Sequence, residues 1–208
     1  MKTSLMHAAA IASLLALTAC QPGSGPVAQG MDQAQKGLEK ASQGMEGAKQ
    51  EMSKVQEKLA TENMSLSDSD HALPKAELTP SGALLIDGKP VAMTPEQTVL
   101  GKAYRTQLQG VASDGIAIGM EGAKLGIDAA AAALKGLMSG QGGEAASKQA
   151  EALAEQRIKP QVDKLCARLP ELLKTQQAWA AAQPEFKPYA KMDQSDVEDC
   201  NKNGHWNF

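Results

Sequence analysis

The chain has 208 residues, with 21 Lys and Arg against 24 Asp and Glu, and a formal net charge of −3. Because it has no cluster of basic residues, composition argues against nucleic acid as a partner. Aromatic residues make up only 3%, a composition suited to helices packed through small side chains rather than to a large sheet core.

The N-terminal segment has the pattern of a bacterial lipoprotein signal. Lys2 precedes an apolar run over residues 5–17, which is too short to span a bilayer but right for the apolar part of a secretory signal. Residues 17–20 (LTAC) resemble a lipobox. This resemblance predicts that residues 1–19 are removed and that the Cys20 thiol carries a lipid. A buried apolar helix and an uncleaved signal anchor are the alternatives.

The expected location follows from the residue after the lipidated cysteine. Enteric-type bacteria retain lipoproteins with Asp at this place in the inner membrane, whereas this chain has Gln21. We therefore expect a lipid-anchored protein of a Gram-negative envelope, at the outer membrane and facing the periplasm. Several acyl chains hold such a protein firmly, and no second apolar run reaches the roughly 18 residues that a membrane span needs.

Cysteine usage agrees with export. Once Cys20 carries lipid, Cys166 and Cys200 remain, in a compartment where disulfides persist. We predict a disulfide between them, which would fasten the C-terminal tail to a helix. Two free or metal-bound thiols are the alternative, but no second Cys or His pair has zinc-ligand spacing. We predict neither a metal centre nor a cofactor.

The first predicted helix follows a short tether. Residues 20–30 have the Pro, Gly and Ser content of a flexible linker, and residues 64–75 also resemble a linker. Between them, apolar residues alternate at spacings of three and four, namely Met31, Ala34, Leu38, Ala41, Met45, Ala48, Met52, Val55 and Leu59. This pattern predicts a coiled-coil-like helix over residues 31–63. It either self-associates or binds a partner, or else it packs or frays within its own chain.

A small hairpin is predicted next. Asp87-Gly88 is a strong signal for a type I′ turn, because both residues tolerate a positive φ. Residues 83–86 and 89–93 should therefore pair, with residues 76–79 as a candidate third strand. Pro90 lacks an amide donor, which places its strand at an edge of the sheet or its amide position facing outward.

A capping box follows the hairpin and begins a long helix. Thr94, Pro95 and Gln97 provide an N-cap, a first helical residue and the reciprocal side chain. The run over residues 82–97 (GALLIDGKPVAMTPEQ), followed by a helix with Tyr104, resembles the uncharacterised YggN-like family of exported proteobacterial proteins. The resemblance covers a third to a half of the chain. It implies export and offers no catalytic residues to carry over.

The same helix has one face without side chains. Glycines recur at spacings of four, three and four, at Gly115, Gly119, Gly122 and Gly126. A narrower polar face lies behind them, formed by Glu121, Lys124, Asp128 and Lys135. Such glycine spacing lets another backbone approach closely. We expect another helix of this chain on the glycine face; an oligomeric glycine zipper and a membrane-surface helix are the alternatives.

A second long helix is predicted after a break at residues 139–143 (SGQGG). It spans residues 144–182 and should pack antiparallel on the glycine-faced helix. Pro160 and Pro170 should kink or interrupt it. The tail, residues 183–208, is polar and contains prolines, so regular structure is not expected there.

These elements predict a mainly α fold with a small β-hairpin: an N-terminal coiled-coil-like helix, then residues 76–208 as a domain of a hairpin and two antiparallel helices with a disulfide-tied tail. No catalytic motif is present, so we do not expect an enzyme. The expected function is structural or protein-interacting, with the membrane, a homo-oligomer or an envelope protein as partner. A periplasmic binding or chaperone-like module for an apolar peptide or lipid is the alternative.

Overall fold

The computed structural model describes residues 26–67, 73–139 and 143–203. In chain order its elements are α1 (Pro26–Thr61), β1 (Met64–Ser65), β2 (Ala76–Leu78), β3 (Leu84–Ile86), β4 (Lys89–Pro90), α2 (Pro95–Ser139), α3 (Gly143–Ala182), a 3₁₀ helix (Lys187–Tyr189) and α4 (Gln194–Asn203). Long helices with a small antiparallel sheet confirm the predicted fold class.

The four short strands form one antiparallel sheet in the order β1-β2-β3-β4. Leu78 of β2 lies opposite Leu84 of β3, and both side chains are fully buried. Strand β1 was not predicted; it lies inside the predicted linker, and its Met64 pairs with Leu78 of β2. A strand of two residues has no alternation of polar and apolar side chains, so the pattern could not indicate it.

The turn between β3 and β4 has the predicted conformation. Asp87 and Gly88 have φ angles of 48° and 73°, as a type I′ turn requires. Strand β4 is shorter than the predicted 89–93 and lies at the edge of the sheet, where Pro90 is exposed. The edge position of Pro90 is therefore confirmed.

The capping box at the start of α2 is also confirmed. The Thr94 amide donates to Oε1 of Gln97 at 2.7 Å, and the Gln97 amide donates to Oγ1 of Thr94 at 3.2 Å. In addition, Nε2 of Gln97 donates to the carbonyl oxygen of Ala182, at the end of α3, at 2.5 Å. The start of α2 therefore lies beside the end of α3, and the two helices are antiparallel.

One core joins the sheet, α2, α3 and the tail. Its buried members are Ala76, Leu78, Leu84, Tyr104, Leu172, Trp179, Phe186 and Tyr189. Trp179 and Phe186 are fully buried and stack with ring centroids 3.9 Å apart, and the ring of Tyr104 lies 5.3 Å from that of Phe186. The chain has six aromatic residues, and four of them are in this core. Its scarce aromatic side chains are thus concentrated where the elements meet.

The expectation of an irregular tail is wrong for residues 183–203, the part of the tail that the structure describes. A 3₁₀ helix and α4 follow α3, and the tail residues Phe186, Tyr189 and Val197 are buried. Single apolar residues separated by polar ones give no periodicity, yet each of them fills the core. The predicted disulfide joins Cys166 of α3 to Cys200 of α4, with Cα atoms 5.6 Å apart.

Two helix boundaries differ from prediction. Helix α1 begins at Pro26, so residues 26–30 of the predicted tether are helical, because proline lacks only an amide that the first turn leaves unpaired. Helix α3 continues through Pro160 and Pro170, so neither proline interrupts it. Residues 20–25 of the tether lie outside the described residues.

Candidate interaction surface

Buried charge links α2 to α3 near the core. The Asp114 carboxylate, 5% exposed, accepts a hydrogen bond from Nε of Arg168 at 2.8 Å and pairs with Nζ of Lys164 at 2.9 Å. Burial opposes ionisation of this carboxyl, but the bonds to Arg168 and Lys164 outweigh burial and hold its pKa below the ordinary value. The bonds of Asp114 to Arg168 and Lys164 therefore favour the folded state while Asp114 is ionised.

This pairing predicts weaker folding in acid. Because the pKa of Asp114 is lower in the folded chain, its contribution is present above the unfolded value of about 3.8 and is lost as pH falls through the folded value. Asp114→Asn should therefore be less stable than the native chain at about pH 6, with the difference shrinking towards about pH 3. Urea unfolding across this range measures it; a constant difference would contradict the assignment.

Farther along α2, charged side chains again face α3. Arg157 of α3 pairs with Glu121 at 2.7 Å and with Asp128 at 2.6 Å. Both carboxylates belong to the polar face that was predicted to lie away from the helix interface. The three side chains are partly exposed, so their pairing is worth little energy and mainly fixes the register of the two helices.

Helix α1 is held to the body at its C-terminal end by Arg105 of α2. This side chain is 2% exposed and donates to the carbonyl oxygens of Leu59 at 2.7 Å, Glu62 at 2.6 Å and Leu78 at 2.7 Å. Nε2 of Gln109 donates to the Leu59 carbonyl at 2.6 Å. Since the last carbonyls of a helix lack intrahelical partners, a cation is favourable there. The role of Arg105 was not predicted, because one polar residue in a helix gives no pattern.

The heptad residues of α1 are not sequestered in the described structure. Six are half-buried, namely Met31, Leu38, Met45, Ala48, Met52 and Leu59, and three are exposed, namely Ala34, Ala41 and Val55. Helix α1 lies alongside α2, and side chains of both line a groove between them. Within the described residues, these heptad positions of α1 therefore lie beside α2, and some of them remain exposed.

The glycine face of α2 is open. Gly115, Gly119, Gly122 and Gly126 are all exposed, and a Cβ added at any of them would meet nothing within 4 Å. The expectation that another helix of this chain covers them is therefore wrong for the described residues. An oligomeric or membrane-surface role for the face stays a prediction.

The rows beside the glycines explain this outcome. Ile118 and Leu125, on the side of α2 that bears Asp114 and Glu121, are half-buried, as are Met120 and Ile127 on the side of α1. Burying large apolar side chains gains more than burying glycine, at roughly 25 cal/mol per Å². Helices α3 and α1 consequently pack on the two flanking rows and leave the glycines between them uncovered.

Close backbone packing occurs instead at Gly82 and Gly101. Gly82 has a φ of 91°, and a Cβ there would lie 2.5 Å from the amide nitrogen of Lys102. A Cβ at Gly101 would overlap the carbonyl oxygen of Gly82 and lie 3.0 Å from the ring of Trp179. These two glycines let the turn before β3 rest directly on α2.

The two kinds of glycine should respond oppositely to alanine. Gly101→Ala should destabilise the chain by about 1–3 kcal/mol, because the methyl group overpacks the contact with Gly82. Gly115→Ala should stabilise it by up to about 1 kcal/mol, since alanine favours the helix and meets no neighbour. Urea unfolding followed by circular dichroism measures both. Shifts of the same sign would contradict this division.

We define the open glycine face as seven exposed positions on one side of α2. They are Gly115, Gly119, Gly122, Ala123, Gly126, Ala130 and Ala133. At 100° per residue, they occupy one continuous strip, and none has a polar side chain. This strip is the candidate interaction surface.

Two further features, a metal site and a membrane-spanning helix, are absent from the described ranges. Within them, no group of three or more His, Cys, Asp or Glu residues is placed to hold a metal ion. In the same part of the chain, no helix combines the length and apolar character that a membrane crossing needs. Cys20, the predicted lipid attachment site, lies outside the described residues.

Comparisons of this chain with protein-family models, curated proteins and solved structures found no match.

Proposed function

We propose that the chain is a lipid-anchored envelope protein with a structural or interaction role. Lipid on Cys20 would hold it at the outer membrane facing the periplasm, and the open glycine face of α2 would bind a helix of a second copy or of another envelope component. The observation that carries the proposal is that this exposed face has no polar side chain at any of its seven positions.

An open glycine face destabilises the helix of an isolated chain. Each glycine in a helix interior is about 1 kcal/mol less favourable than alanine, and within the described residues no neighbour lies within 4 Å of where a Cβ would stand at the four glycines of the face. Close approach of a second helix backbone is the arrangement in which missing side chains become favourable. Local choices that oppose folding without a visible gain are expected at functional sites.

The shape of α1 suits an anchored protein. It contains 36 residues, which is about 54 Å at 1.5 Å per residue, and its C-terminal end is bonded to the body through Arg105. Its first residue, Pro26, follows Cys20 by only six positions. A lipid on Cys20 would therefore be connected through a long helix to the end where the core lies.

Sedimentation of a lipid-free form tests the role of the face. The mature chain with Cys20→Ser should form a defined oligomer, and Gly119→Leu should dissociate it at least ten-fold more readily by blocking close approach. Gly47→Leu is the matched control, because Gly47 is also an exposed helical glycine with open space around it, on α1. Equal effects of the two leucines would contradict a role for the face in self-association.

The proposed lipidation and the proposed location are tested separately in cells. The native chain should incorporate labelled palmitate and fractionate with outer membranes. The Cys20→Ser variant should remain unlabelled and lose the membrane association. A labelled Cys20→Ser protein would contradict lipidation at this residue.

A further inference from the structure

A groove of about 550 Å³ lies between α1 and α2. Met45 of α1 and Met120 and Ile127 of α2 provide its apolar lining. The volume is within the range typical of small-molecule sites. Methionine side chains are unbranched and flexible, so they adapt to ligands of irregular shape. The groove can therefore accept a slender apolar molecule.

The charges that line the groove favour an anion at one position. Its three carboxylates all have cationic partners: Glu46 pairs with Lys49 at 2.6 Å, and Arg157 pairs with Glu121 at 2.7 Å and with Asp128 at 2.6 Å. Lys124, which also lines the groove, forms no ion pair with any residue in the described ranges. An anionic group beside Lys124 would complete its pairing.

Helix α1 can adjust to an occupant without losing hydrogen bonds. Within residues 26–67 and 73–139, the polar contacts between α1 and α2 are at the C-terminal end of α1. There Arg105 donates to the carbonyls of Leu59 and Glu62, and Gln109 donates to the carbonyl of Leu59. At the groove, α1 and α2 meet through side chains that are half-buried or exposed. The width of the groove can therefore change while the base of α1 stays bonded.

We propose that this groove binds a single aliphatic chain with an anionic headgroup, such as a fatty acid. The chain lies along Met45, Met120 and Ile127, and the carboxylate lies beside Lys124. Lys124 is about 140° from Gly119 around α2, so the groove and the open glycine face are on different sides of the helix. The site does not depend on the proposed self-association.

Titration of oleate into the mature Cys20→Ser chain tests the apolar part of the site. Calorimetry below the micelle concentration should show saturable binding of one oleate per chain. Ile127→Glu, which places a charge in the groove, should weaken binding at least ten-fold. Met45→Glu, on α1, should also weaken oleate binding at least ten-fold. It replaces Ile127→Glu as the test if that variant fails to fold. Uptake only above the micelle concentration, or unchanged binding in both folded variants, would overturn the proposal.

A comparison of two lysine variants tests the contact between the anionic headgroup and Lys124. Lys124→Glu should weaken oleate binding about five-fold, the magnitude of a partly exposed ion pair, and should leave binding of methyl oleate unchanged within two-fold. Lys135→Glu is the matched control: it makes the same charge change at an exposed position of α2 that does not line the groove. Equal loss in the two variants would show a general charge effect and would overturn the assignment of Lys124.

Discussion

Replacing Trp179 by alanine should lower the free energy of unfolding by about 3–5 kcal/mol, the usual cost of removing a large buried aromatic side chain. Trp179 is fully buried, stacks on Phe186 at a centroid distance of 3.9 Å and lies 5.8 Å from the ring of Tyr104. It also contacts α2 at Gly101. One substitution therefore removes contacts among α2, α3 and the tail together.

Chemical unfolding followed by far-ultraviolet circular dichroism measures this loss. Trp179→Phe should cost less than Trp179→Ala, because the indole Nε1 has no hydrogen-bond partner in the described structure and only volume is lost. Val99→Ala, at a position of α2 that is 67% exposed, should change stability by less than about 0.5 kcal/mol. Similar losses at Trp179 and Val99 would contradict the position of the core.

Removing the disulfide should cost about 3.8 kcal/mol, the chain-entropy value for a closed loop of 34 residues. The loop between Cys166 and Cys200 contains Trp179, Phe186 and Tyr189, which are core residues. Without the bridge, the unfolded chain regains the freedom of this segment, and α4 loses its covalent link to α3 while Val197 remains as a buried side chain. The tail should then detach at lower denaturant concentration than the helices.

Reduction and substitution together isolate this effect. Dithiothreitol should lower the unfolding midpoint of the native chain to that of Cys166→Ala/Cys200→Ala, and it should leave the double variant unchanged. If complete reduction left the native midpoint in place, the bridge would contribute no stability.

The correct sequence predictions rest on short local patterns. Asp87-Gly88 and the Thr94–Gln97 capping box require only neighbouring residues, and both have the expected geometry. The pairing of Cys166 with Cys200 followed from counting the remaining cysteines. In each case the physical cause lies in the residues themselves or in their number.

The wrong predictions required knowledge of distant neighbours. The spacing of Gly115 and Gly119 identifies a smooth face, but competition from the larger side chains beside it decides what packs there. Arg105 bonds to carbonyls 27 to 46 residues away in sequence, a relation that no local pattern carries. Phe186 and Tyr189 enter the core singly, so they give no periodic signal.

Site-directed crosslinking at Gly119 in intact cells tests most directly whether the open glycine face binds another helix. Because Cys166 and Cys200 are bridged and Cys20 is proposed to carry lipid, Gly119→Cys should add a single free thiol to the mature chain. We expect a short crosslinker with one thiol-reactive and one photoreactive end to produce a covalent dimer or one discrete larger adduct from Gly119→Cys, and little or none from the equally exposed Gly47→Cys. Identical products from both positions, or none from Gly119→Cys, would contradict the proposed interaction surface.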